Sequence, residues 1–190
     1  MKYKLFLEKP INLHELKPNY KIPVGRILEL PTRKTKLEIY LLDNCYELTG
    51  YHCSVSSNPK LLYTEPNGNK IGFCYISKSA YETWILESRH LAESSFMHEL
   101  GHLMDKNFFD RSPSTRHAKS SRMEHLKKGK VDPCELFADE FAVQQVGLHA
   151  YLEFLDHMQY LRIKRNDEGA PIAIMEMLLR KKHLQNKFEK

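Results

Sequence analysis

The run Glu93-Ser-Ser-Phe-Met-His-Glu-Leu-Gly-His-Leu-Met-Asp105 contains the pentapeptide His98-Glu99-Leu100-Gly101-His102, and the reading of the whole chain turns on it. If the run is helical, His98 and His102 are four apart and project from one face. Two imidazoles placed in this way can hold one zinc ion at about 2.0–2.1 Å each. Glu99 leaves the same turn close to the metal, where it can take a proton from an activated water and pass it to a leaving amine. Coincidence on an ordinary buried helix is the competing reading, and a third protein ligand decides between them, because a catalytic zinc takes three protein ligands and keeps one position open.

The downstream run Asp132-Pro-Cys-Glu-Leu-Phe-Ala-Asp-Glu-Phe-Ala142 reads as a second helix with Glu135 and Asp139 four apart. Glu135 is the candidate third ligand. Asp139, one turn on, is placed to accept the outer N–H of a ligating histidine and fix its tautomer. Two other readings stay open at this point. The acids can simply form the wet face of an amphipathic helix, or Asp132 can act as N-cap with Pro133 in the first turn and Glu135 reaching back to the cap.

His-Glu-Leu-Gly-His followed by Glu-x-x-Ala-Asp resembles the gluzincin metallopeptidases. The continuation Phe141-Ala-Val-Gln-Gln-Val-Gly147 is similar to the soluble minigluzincins and to the catalytic core of the membrane CAAX-processing metalloproteases. The repressor-cleaving ImmA/IrrE-type peptidases are more distant in pattern. The resemblance covers roughly residues 70–160. It implies an α+β, zincin-like single domain over residues 1–190, one zinc ion per chain held by His98, His102 and Glu135, Glu99 as general base and Asp139 as orienting aspartate. It also implies a peptide or protein substrate. The family's oxyanion-steadying residue has no motif here; His149, Tyr151, His157 and Tyr160 are the candidates, and each also reads as a packing or surface residue.

The composition agrees with a soluble globular protein: 42% hydrophobic and 28% charged residues in 190, enough for one sizeable core. No uncharged apolar stretch approaches the length of a membrane span, and the apolar run after Met1 is too short for a signal peptide. Cys45, Cys53, Cys74 and Cys134 show no C-x-x-C spacing and read as reduced, mostly buried thiols, which places the protein in the cytoplasm. The net charge of +5 is local: residues 111–130 hold seven Lys and Arg against Glu124 alone, a net +6 that leaves about −1 elsewhere. Residues 107–131 therefore read as a basic loop between the two zinc helices, either solvated or guiding an acidic substrate. Nucleic-acid binding is the weakest reading, since the segment lacks interleaved aromatics. His117 and His125 are expected to be exposed.

Around these helices the chain predicts a small mixed or antiparallel N-terminal sheet and a helical C-terminal half. Residues 1–31 read as a first strand followed by an extended arm broken by Pro10, Pro18 and Pro23. Residues 35–49 carry a helix signal, with Thr35 and Glu38 as a capping box and Leu37, Leu41, Cys45 and Leu48 at helical spacing. A strand over 51–57 and a hairpin over 61–77 follow; the resemblance to zinc peptidases implies that Ile71–Ile76 is a cleft-edge strand that pairs with substrate, and an internal strand is the other reading. Trp84 is a core anchor. Helices are expected over 88–106, 133–146 and 149–163, and from Pro171 with Ile172, Met175, Leu178 and Leu179 inward, fraying from Lys181. A zinc-stabilised binding protein without useful hydrolysis, and a protease dedicated to one partner, are the alternative functions.

Overall fold

A computed structural model describes residues 1–7, 23–30, 34–42, 55–57, 63–105, 122–165 and 169–189. Among the described residues six strands make one mixed sheet: β1 (Lys2–Leu7), β2 (Gly25–Leu30), β3 (Thr35–Leu42), β4 (Val55–Ser57), β5 (Tyr63–Thr64) and β6 (Lys70–Ser77). β1, β2 and β3 run as an antiparallel meander, β6 lies parallel to β3, and β4 and β5 both pair antiparallel with the far side of β6. Four long helices follow: α1 (Arg89–Met104), α2 (Pro133–Val146), α3 (Leu148–Arg165) and α4 (Ala170–Phe188). The fold is α+β. Among the described residues no helix is long and apolar enough to cross a membrane.

The helix expected at 35–49 is instead a strand over its first eight residues; residues 43–54 lie outside the described residues. Leu37, Ile39 and Leu41 alternate with Lys36 and Glu38, so the stretch satisfies period two as well as helical spacing, and Leu37 and Ile39 bury completely on the helix side of the sheet. The first thirty-one residues are more than an arm. β1 and β2 pair in register from Lys2↔Leu30 to Leu7↔Gly25, and the proline-rich stretch over 8–22 lies outside the described residues. The expected hairpin around residues 66–69 forms, with Gly68 at φ +81° in its turn. β6 is flanked on both sides, by β3 and by β4 and β5, so Ile71–Ile76 is the internal strand of the two alternatives and offers no free edge to a substrate.

α1 is the centre of the molecule. Leu91, Phe96, Met97, Leu100 and Leu103 are buried around its circumference, together with the small Ala92, Ser94, Ser95 and Gly101. A helix buried all round must contact neighbours on every side, and α1 meets α2, α3, β4 and β6. Ahead of it, a helical turn at Lys78–Ala80 leads into a π-helical turn, Tyr81–Glu87, that seats Trp84 in the core. The Trp84 ring packs edge-on against Phe154 of α3.

Two of the sequence expectations for the C-terminal half are revised. The end of the basic segment is ordered: residues 122–127 are helical, and Leu126 and Val131 are buried. His125, expected on the surface, is half-buried beside Asp132. Residues 106–121, with His117, lie outside the described residues. α4 continues through Lys181 to Phe188 without fraying, and it turns a different face inward. Met177, Arg180 and Leu184 are buried along with Glu176, while Ile172, Met175 and Leu178 face solvent.

α1 and α2 come very close to one another in the core. A Cβ at Gly101 would sit 2.7 Å from Ala138 Cα and 3.2 Å from Phe141 Cβ. The backbone of α2 occupies the space that any side chain would need. Gly101→Ala should therefore lower stability to urea by about 1–3 kcal/mol through overpacking, although alanine is the better helix former by about 1 kcal/mol. A variant as stable as the parent would contradict the close contact.

Candidate metal centre

α2 begins with Asp132 as its N-cap, accepting a bond of 2.9 Å from Cys134 N, with Pro133 in the first turn. The cap is complete without Glu135, which points toward α1. Glu135 Oε2 lies 3.5 Å from His98 Nε2, and Oε1 lies 3.7 Å from His102 Nε2. The three donor atoms all fall within 4.8 Å of one another. Ligands at about 2.0–2.1 Å around a tetrahedral ion stand about 3.3–3.5 Å apart, so two imidazole nitrogens and a carboxylate oxygen here fit a divalent metal ion after small side-chain movements. Glu99, on the same turn of α1, is half-buried, and its charge acts on His102.

Asp139 is fully buried one turn beyond Glu135 and takes the expected place behind the first histidine, with Oδ1 3.0 Å from His98 Nδ1. That contact leaves Nε2 facing Glu135. Burial by itself would lower the His98 pKa, but the Asp139 and Glu135 carboxylates outweigh it and push the value up to about 9. Burial and the neighbouring His98 act together to lower His102. The two carboxylates thus favour the charged form of the His98 ring.

The sequence reading missed the next layer of the site. Arg180 of α4 donates from Nε to Asp139 Oδ2 at 2.7 Å and from Nη2 to Asp139 Oδ1, while Nη1 stands 3.3 Å from Glu135 Oε2. Tyr151 of α3 donates to Asp139 Oδ1 at 2.6 Å, and its oxygen is 2.8 Å from His98 Nδ1. Burial would raise Glu135 and Asp139, yet both stay below the ordinary carboxylate range. His102, His98, Arg180 and Arg122 hold Glu135 down; Arg180 and His98 hold Asp139 down. Burial and the charge of Asp139 drive the Tyr151 hydroxyl well above its usual pKa, so it remains a donor.

One turn before Arg180, Glu176 is 1% exposed and is clasped by Arg122 from the end of the basic segment, with Nε 2.8 Å from both carboxylate oxygens. The segment between α1 and α2 is thus tied to the same cluster of buried charge. Arg180 carried one signal in the sequence. It occupies the buried stripe Met177-Arg180-Leu184 of α4, where a lone cation among apolar residues calls for a buried partner.

The four residues considered for steadying an oxyanion stand elsewhere. Tyr151 lies on the Nδ1 side of His98 rather than at the metal position. His157 accepts a bond of 3.0 Å from Trp84 Nε1. His149 and Tyr160 are exposed. Comparison with protein-family models, curated proteins and solved structures finds no match for this chain.

Arg180→Met keeps much of the side-chain volume but leaves Asp139 charged, buried and short of two donors. Metal affinity should fall about 10–100-fold, the usual consequence of losing a partner that orients a ligand. Competition with a chromophoric chelator measures it, and an unchanged affinity would remove Arg180 from the centre.

Proposed function

We propose that this chain is a zinc metallopeptidase of the gluzincin type, hydrolysing peptide bonds in a peptide or protein substrate with Glu99 as the general base. The observation that carries this reading is the convergence of His98, His102 and Glu135 from two helices, with Glu99 half-buried on the turn between the histidines. Two imidazoles and a carboxylate are a ligand set that catalytic zinc uses, and three ligands leave a position for chemistry.

Zinc bound there supplies a Lewis acid that polarises the scissile carbonyl and lowers the pKa of water toward about 7. The protein's own part is to place charge and protons. Asp139, Tyr151 and Arg180 fix the His98 ring with Nε2 forward. Arg180 also steadies Glu135 Oε2. The Glu99 carboxylate takes the proton of the attacking water and returns it to the leaving amine. Four cysteines without a C-x-x-C spacing, with Cys74 and Cys134 buried, suit a reducing compartment such as the cytoplasm.

Glu99→Gln should lower turnover at least about 100-fold while zinc stays bound, because the amide replaces the base and leaves the three ligands intact. A peptide library read by mass spectrometry is the suitable substrate, since it also detects narrow specificity, and zinc content is measured on the same samples. Cleavage by the parent that a chelator abolishes, and that the variant lacks, is the expected result. Full cleavage by the variant would overturn the mechanism.

A further inference from the structure

Outside the buried centre, the surface shared by α1 and α3 repeats its donor set. His149 and Glu153 are four apart at the start of α3, and His90 stands in the first turn of α1. Glu153 Oε2 is 3.6 Å from His90 Nε2, and Oε1 is 3.9 Å from His149 Nε2. The corresponding separations at Glu135 are 3.5 and 3.7 Å. In both places one carboxylate faces two imidazoles, one at each oxygen, each through Nε2, but only the buried set already has all three donor atoms within 4.8 Å of one another.

The two clusters differ in their surroundings. The side chains of His90, Glu153 and His149 are 54%, 53% and 96% exposed, so a dissolved ion reaches them without any opening of the fold. As ion pairs they contribute little, since exposed pairs are worth about 0–1 kcal/mol and depend on a charged imidazole. A metal ion uses the neutral imidazole. His149 must swing toward His90 for all three to converge, and a side chain this exposed does so through ordinary rotamer change. His157, one turn beyond Glu153, is engaged by Trp84 and is left out of the set.

We propose that His90, His149 and Glu153 form a second metal site on the surface, which takes a divalent transition-metal ion of the imidazole-binding class such as zinc. Such an ion joins the start of α1, the helix that carries His98 and His102, to α3, which carries Tyr151. It binds only the folded arrangement of the two helices and therefore stabilises it.

The test titrates the metal-free full-length chain with zinc chloride at pH 7.5 by calorimetry and follows the Tm at each stoichiometry. Wild type, His90→Ala, Glu153→Gln and Glu135→Ala are compared; the first two substitutions sit on the surface and leave the core untouched. The expected result is two equivalents in wild type. The weaker one, and the rise in Tm that accompanies it, should be missing from His90→Ala and Glu153→Gln. Two unchanged equivalents in both surface variants would overturn the proposal, as would a single wild-type equivalent lost only in Glu135→Ala. A single equivalent lost in His90→Ala and kept in Glu135→Ala would sustain this site and defeat the peptidase reading instead.

Discussion

Everything at the buried centre depends on how near α2 can come to α1. Two ligands on one helix and one on another meet at a single ion only if the helices nearly touch, and side chains at the crossing set that distance. Gly101 lies between the two histidines, and Ala138 lies between Glu135 and Asp139. Each small residue sits where the other helix needs room, and Ala138 Cα comes within 2.7 Å of where a Gly101 Cβ would lie. The helix-weakening glycine in the middle of α1 is the condition for Glu135 to reach the two histidines. On the sheet side, a Cβ at Gly72 of β6 would run into Leu103 Cδ1, so α1 is seated closely there as well.

A second constraint is charge. Glu135, Asp139 and Glu176 are carboxylates brought into or beside the core, and a buried charge persists only with partners. Arg180 and Arg122 are those partners, one from the last helix and one from the segment joining α1 to α2. The centre is therefore assembled from the full C-terminal half, although its candidate ligands come from α1 and α2 alone. Burial opposes charge on His98, but the Asp139 and Glu135 carboxylates outweigh it and add a third positive group that the cluster favours.

The local parts of this arrangement were legible in the sequence. His98, His102, Glu135 and Asp139 follow from spacing along single helices, and α2 ends at Gly147 where the glycine predicts it, at φ +90°. The long-range parts were not. Arg180 reaches Asp139 across forty-one positions, and nothing near either residue specifies the meeting. On α4 the strongly apolar stripe through Ile172, Met175 and Leu178 outweighed a weaker one through Met177 and Leu184, because apolar counting gives no credit to a buried arginine with carboxylates waiting for it. Thr35–Leu42 failed differently: its apolar residues satisfy two periods at once, and pairing with β2 and β6 decides between them. Tyr151 shows a third limit. Its identity fits packing, hydrogen bonding or catalysis equally well, and only its place behind His98 selects among them.

The central claim is that two imidazoles and one carboxylate, from α1 and α2, hold a single zinc ion at the buried centre. X-ray absorption at the zinc edge tests it most directly, on protein loaded with one equivalent and carrying His90→Ala to silence the surface. The account predicts only nitrogen and oxygen neighbours at about 2.0–2.2 Å, with the imidazole signature of two histidines falling to one in His102→Ala. A sulfur neighbour at about 2.3 Å, or an imidazole signature unchanged by His102→Ala, would contradict it.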